Sequence, residues 1–154
     1  MRAGIEPGAV RRGQLEIEQF RAAGEMEFAE QRSQGLAVLQ EIVEGDLCGN
    51  ARVQGQRLRL GLERLMEKYS VIGDIRGKGL FLGIEFVRDR SRKESFPPDI
   101  AFGVRVGRRA LENGLLTRFD PNWLALGPPL TVTEEQIDEI VAILEESIGE
   151  CLAE

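Results

Sequence analysis

The stretch from Val71 to Asp89, VIGDIRGKGLFLGIEFVRD, constrains the fold more than any other part of the chain. Val71, Ile72 and Ile75 precede a Gly-Lys-Gly step, and Leu80, Phe81, Leu82, Ile84, Phe86 and Val87 follow it in an almost unbroken apolar run. Apolar runs rich in branched and aromatic side chains and bounded by turn residues form buried strands. Two extended segments are therefore expected, at about 71–76 and 79–87, joined at Gly77-Lys78-Gly79. So tight a joint favours an antiparallel pair, because parallel neighbours need a crossover of about a dozen residues or more. Gly83 within the second segment marks a place for a bulge or a close backbone approach.

The segments on either side read as cover for that sheet. Gly35 to Val43 is a short helical piece with Leu36, Leu39 and Val43 on one face. A longer helix is expected over about 47–69, where Leu58, Leu62, Leu65 and Tyr69 recur at the spacing of a core-facing stripe. Arg88 to Pro98 is polar and ends in a proline pair, so it is a loop. Helical character resumes from Asp99 to Asn113, with Ile100, Val104, Gly107 and Leu111 near one face and Asn113-Gly114 as the stop. Leu115 to Arg118 and Trp123 to Leu126 are short strands flanking a turn at Phe119-Asp120-Pro121-Asn122. Thr133 opens the last helix with a capping box to Gln136, and Ile137, Ile140, Val141, Leu144 and Ile148 carry its apolar face. Met1 to Gln34 has no convincing helical stripe and reads as a weakly helical or disordered arm.

Bulk properties exclude several function classes. A chain of 154 residues can bury a core of its own. The net charge of −6 argues against a nucleic-acid surface. No apolar run reaches the length of a membrane span, so a cytoplasmic setting is expected. Histidine is absent, which removes any Cys/His zinc site and any Ser-His or Cys-His pair made within the chain. Cys48 and Cys151 read as reduced thiols.

Four features carry possible chemistry. Arg76-Gly77-Lys78-Gly79 is a weak phosphate cradle, since the established glycine-rich fingerprints lead into a helix and this one leads into a strand. Lys78 is a poor Schiff-base nucleophile, because catalytic lysines are desolvated and a Gly-Lys-Gly turn is exposed. Arg88, Arg90, Arg92 and Lys93 alternate with Asp89 and Glu94, a pattern that suits a solvated loop better than a phosphate site. Arg118, at a strand end before a turn, suits bidentate recognition of a carboxylate, with a surface salt bridge as the alternative that composition alone favours.

The succession GLAVLQEI, DIRGKGLFLGIEFVRD, NGLLTR and LGPPLTVTEEQID, in that order and at that spacing, resembles the C-terminal end of the class III aminotransferases. These are pyridoxal-phosphate enzymes of fold type I, and the resemblance covers Gly35 to Glu154. It implies an α+β fold for residues 35–154, a small antiparallel sheet of about four strands covered by helices, which is the family's C-terminal small domain. It also implies amino-group transfer from an amine or amino acid to a keto acid, in a homo-oligomer with no nucleic-acid or membrane partner. In the family the Schiff-base lysine and the residues that hold the cofactor ring lie upstream of the part matched here. No catalytic, cofactor-binding or metal residue is therefore assigned, and the chain is expected to be inactive alone. Residues 1–34 do not resemble the family's cofactor-phosphate segment, so a truncated or frame-shifted gene, or an incomplete gene model, is expected. Arg118 matches the movable arginine of many omega-transaminases, which binds a substrate carboxylate and swings away for uncharged amines. Ornithine-type members carry another arginine where this chain has Ala125. The alternative function is a non-catalytic α+β interaction module derived from such an enzyme.

Overall fold

A computed structural model describes residues 34–153. The chain divides into two compact units, residues 1–45 and 46–154. In the first unit the described part is a helix, α1, over residues 34–44; Leu36, Leu39 and Val43, expected to share one face, are all exposed. The arm expected over 1–34 lies outside the described residues, apart from Gln34.

The second unit runs α2 (Leu47–Lys68), β1 (Ile72–Lys78), β2 (Phe81–Phe86), α3 (Phe102–Glu112), β3 (Arg118–Asp120), β4 (Trp123–Leu126) and α4 (Glu134–Ala153). The four strands form one antiparallel sheet in the order β1-β2-β4-β3, the α+β architecture expected. Side chains alternate across a strand, and here the alternation separates two functions. Leu82, Ile84 and Phe86 of β2 and Leu124 and Leu126 of β4 are buried. They form one cluster with Leu58, Leu62 and Leu65 of α2, Phe102 and Val106 of α3, and Ile137, Leu144 and Ile148 of α4. Phe86 meets Phe102 edge-on at 5.4 Å between ring centroids, and Phe96 of the following loop stacks on Phe102 at 4.8 Å. No helix among the described residues is long and apolar enough to cross a membrane.

Helix ends are held by the devices their sequences provide. Asp46 accepts from the Gly49 amide and starts α2. The capping box of α4 is reciprocal: the Gln136 amide donates to Thr133 Oγ1, and the Thr133 amide donates to Gln136 Oε1. Arg57 of α2 grips Asp138 of α4 with a two-pronged guanidinium contact and also reaches Glu134.

Three expectations need correction. The β1–β2 turn lies at Gly79-Leu80, with Lys78 paired to Phe81, so β1 runs further than its apolar residues suggested. Gly79 takes a positive φ of 58°, which suits the first turn position of a two-residue hairpin. The helix after the proline pair starts at Phe102 and not Asp99. Pro97 accepts from Ile100 in a separate turn, and Ala101 is left-handed at φ 43°, so no helical turn can form before it. The face of α3 that is buried is Phe102, Gly103, Val106, Gly107 and Ala110, whereas Ile100 and Leu111 are exposed. Finally, Leu115 to Thr117 is not strand. The Thr117 hydroxyl donates to the Ala125 carbonyl, so a side chain takes the acceptor where the ladder ends and β3 begins only at Arg118.

Two outcomes test this packing. Leu124→Ala should lower stability to unfolding by about 2–5 kcal/mol, the range for a leucine deleted from a core, while Leu116→Ala, at a side chain 80% exposed, should stay within about 0.5 kcal/mol; equal denaturation midpoints for the two variants would contradict the assignment of faces. The hydrogen bonds from Arg57 hold the Asp138 carboxyl below its usual range. That contribution is full above the unfolded value of about 3.9 and is lost as pH falls from there through the depressed folded value. Asp138→Asn should therefore make the acid loss of stability shallower below about pH 4, measured by chemical denaturation across pH; parallel wild-type and variant curves would contradict it.

Candidate functional site

The sheet face turned away from the helices carries Asp74, Arg76 and Lys78 of β1, Phe81, Gly83 and Glu85 of β2, Trp123 and Ala125 of β4, and Arg118 and Asp120 of β3. The register sets them in rows. Arg118 pairs with Ala125, Ala125 with Gly83, and Gly83 with Arg76, so an arginine stands at each end of a row whose middle is two small residues. The next row is Asp120, Trp123, Glu85 and Asp74.

The two arginines are held differently. Arg76 is taken by acids, with Nε at 2.8 Å from Asp74 and Nη2 at 2.5 Å from Glu85. Arg118 makes no ion pair among the described residues; its guanidinium carbon instead lies 5.8 Å from the centroid of the Trp123 ring. The salt bridge that composition favours for Arg118 is therefore not formed among the described residues. Arg118 also opens β3 instead of closing a strand, and the turn beyond it is Pro121-Asn122.

Beside Arg118 lies an open groove of about 1050 Å³ between the 114–118 segment, β4, the Gly127–Val132 loop and α4. Leu116, Trp123, Ala125, Pro128 and Ile140 supply a largely apolar lining, and Arg118 and Glu139 are its charged members. Phe119 does not belong to it. Its ring lies directly on Gly107 of α3, on the helix side of the sheet, so a side chain at that glycine would overlap the ring. From the sequence, Phe119 and Trp123 are expected as an apolar wall near Arg118; of the two, Trp123 alone lines the groove, and its contact with the guanidinium is not legible in the sequence. A turn placed at Pro121-Asn122 would have revealed it, since the register then sets the two side chains diagonally on one face.

The other sequence candidates are absorbed by the fold. Gly77 and Lys78 pair with Leu82 and Phe81, which commits that backbone to the ladder rather than to a phosphate. Gly79 is pressed against α2, where a side chain at Gly55 would meet its backbone. Arg59 donates to the Gly77 and Ile75 carbonyls and fastens the hairpin from the helix side. In the loop after β2, Arg88 pairs with Glu94, Arg92 with Asp89, and Arg90 donates to the Met66 and Tyr69 carbonyls at the C-terminal end of α2. The Ser91 hydroxyl and the Arg92 and Ser91 amides hold the Asp89 carboxyl below its usual range. This loop caps a helix.

With the site described, the comparisons with known proteins decide its family. The model of the aminotransferase class-III family matches residues 32–148. The chain belongs to that family. It is similar to the leucine/methionine racemase of Thermococcus litoralis, 40% identical over 75% of this chain and 26% of that protein. It is likewise similar to the taurine–pyruvate aminotransferase of Bilophila wadsworthia, 41% identical over 70% of this chain and 25% of that protein. Among solved structures, an aminotransferase from Vibrio fluvialis superposes with a TM-score of 0.74 at 28% identity, over 77% of this chain and 26% of that one. An amine transaminase from an uncultivated Pseudomonas species, in its pyridoxal-phosphate-bound internal aldimine form, gives 0.71 at 35% identity over 75% of this chain and 26% of that one. The chain thus spans about a quarter of the length of these relatives.

Membership implies pyridoxal phosphate, which is held through a desolvated lysine. The lysines of this chain do not fit that part. Lys68, Lys78 and Lys93 are all exposed, Lys68 is paired with Glu145, and none lines the groove. Added pyridoxal phosphate should therefore bind without saturation, and borohydride reduction followed by peptide mapping should label the three lysines with no strong preference. A single saturable, lysine-dependent site would contradict this.

Proposed function

We propose that residues 35–154 are the C-terminal small domain of a pyridoxal-phosphate enzyme that moves an amino group from an amine or amino acid to a keto acid. The outer face of the sheet is the side presented to substrate, and Arg118 is the residue that binds a substrate carboxylate. The observation that carries this reading is the state of Arg118: an exposed guanidinium without an acidic partner among the described residues, at the rim of an apolar groove, in a chain of this family. Its planar fork can hold both oxygens of a carboxylate, while the groove receives the carbon skeleton. With Ala125 between Arg118 and Gly83, no second cation stands in the middle of the row, which favours recognition of one carboxylate over two.

The lysine for the cofactor comes, in this reading, from polypeptide outside these residues, and the chain alone does not catalyse transfer. A cytoplasmic setting is supported by Cys48, an exposed free thiol. A homo-oligomeric enzyme is supported by the exposed Phe81 and Leu116, 72% and 80% accessible, since such apolar surface favours association.

The test is a chimaera in which residues 35–154 replace the matching quarter of the Vibrio fluvialis aminotransferase. Arg118→Ala should weaken the reaction of amino-acid and keto-acid substrates by about 2–5 kcal/mol once closure desolvates the charge pair. Turnover of an amine without a carboxylate should change little, and it doubles as the control for folding. Equal losses on both substrate types would remove Arg118 from substrate binding.

A further inference from the structure

We infer that Trp123 is a positioning residue for Arg118: its indole is a platform that holds the guanidinium on the outer face of the sheet and leaves the N–H edges free for a carboxylate. The inference rests on the reading of Arg118 given under Proposed function and adds a second residue to it.

The register places the pair. Arg118 lies opposite Ala125 and Trp123 opposite Asp120, so Arg118 and Trp123 are diagonal neighbours on one face of an antiparallel pair, a spacing within reach of an aromatic and a long side chain. The guanidinium carbon stands 5.8 Å from the ring centroid, inside the range of a cation–π contact. What the arginine does not do is equally informative. Asp120 sits two residues along β3 on the same face, yet forms no ion pair with Arg118 among the described residues. Asp74 and Glu85 are both engaged by Arg76.

The distinction matters chemically. An ion pair would consume the N–H donors that an incoming carboxylate needs, whereas an aromatic face attracts the cation through its π-system and leaves all five donors unspent. Platform and ligand thus use different parts of one guanidinium. Ala125 and Gly83 beside it keep the row low and leave room for the ligand above the sheet. If the arginine moves out, the same indole remains as apolar wall of the groove.

Nuclear magnetic resonance of the isotope-labelled chain tests this with propionate as the probe. Trp123 is the only tryptophan, so its indole signal is unambiguous, and Arg118→Lys identifies the Arg118 Nε–Hε signal by its loss. The ring current of Trp123 should shift that signal upfield in the wild type and in Trp123→Phe. In Trp123→Leu, which keeps an apolar side chain but has no π-face, it should return to the position of a free arginine. Propionate should move the Arg118 and Trp123 signals together and saturably. The apparent Kd should rise about three- to fivefold in Trp123→Leu and less than about twofold in Trp123→Phe. Unchanged propionate affinity in Trp123→Leu would overturn the platform while leaving Arg118 as the carboxylate site. An Arg118 signal that propionate does not move would overturn the carboxylate reading, and this inference with it.

Discussion

Leu82, Ile84 and Phe86 all leave β2 on one side, and the rest of the domain depends on their burial. β2 is an inner strand, paired on one edge to β1 and on the other to β4, so its register sets both neighbours. Once these side chains are committed to the helices, the pleat sends Phe81, Gly83 and Glu85 to the opposite face. β4 follows, with Leu124 and Leu126 inward and Trp123 and Ala125 outward. The outer face is therefore a consequence of core formation, and what it displays is fixed residue by residue. A slip of one residue of β3 against β4 would turn Arg118 to the helix side and Phe119 to the outer face.

The helices reach the sheet closely because glycines stand at the contacts. Gly55 of α2 lies against the backbone of the β1–β2 turn, and Gly103 and Gly107 of α3 lie against Asp120, Trp123 and the ring of Phe119. The Gly103 amide donates to the Pro121 carbonyl, and the Phe86 amide to the Asn122 carbonyl, so the turn between β3 and β4 is tied to both α3 and β2. That turn carries the strands that hold Arg118 and Trp123. Precision at the outer face is thus set by packing on the inner one.

Much of this was legible in the sequence. The stripe Leu58, Leu62, Leu65 and the Thr133–Gln136 capping box each follow a local rule and form as read. The apolar run after Gly79 does give a strand, but over Phe81–Phe86 with its side chains alternating and Phe81 exposed, not as a continuously buried segment. The β1–β2 turn and the start of α3 are displaced by local backbone conformation at Gly79 and Ala101, whereas the other two departures are decided by groups across the hairpin. β3 starts late because Thr117 hydrogen-bonds Ala125 across the hairpin. Helix α3 turns a different face inward because glycines, which carry no hydropathic signal, make its closest contacts with the hairpin. Arg118 stood out by its place in a family-like pattern, but its lack of an acidic partner among the described residues and its contact with Trp123 depend on register, which the sequence left three residues out of place at β3. Arg88, Arg90 and Arg92 illustrate the reverse, for these suggestive charges prove to be spent on Glu94, the end of α2 and Asp89.

The central claim is that the outer face is functional and that of its two row-end arginines only Arg118 is available to a ligand. A crystal structure of the chain soaked with para-bromobenzoate tests it most directly, because the bromine is located by its anomalous scattering. The account predicts the carboxylate on the guanidinium of Arg118, with the ring in the groove beside Leu116 and Ile140 and Arg76 still bound to Asp74 and Glu85. A carboxylate seated on Arg76 with its acidic partners displaced, or a bromine bound only away from this groove, would contradict it.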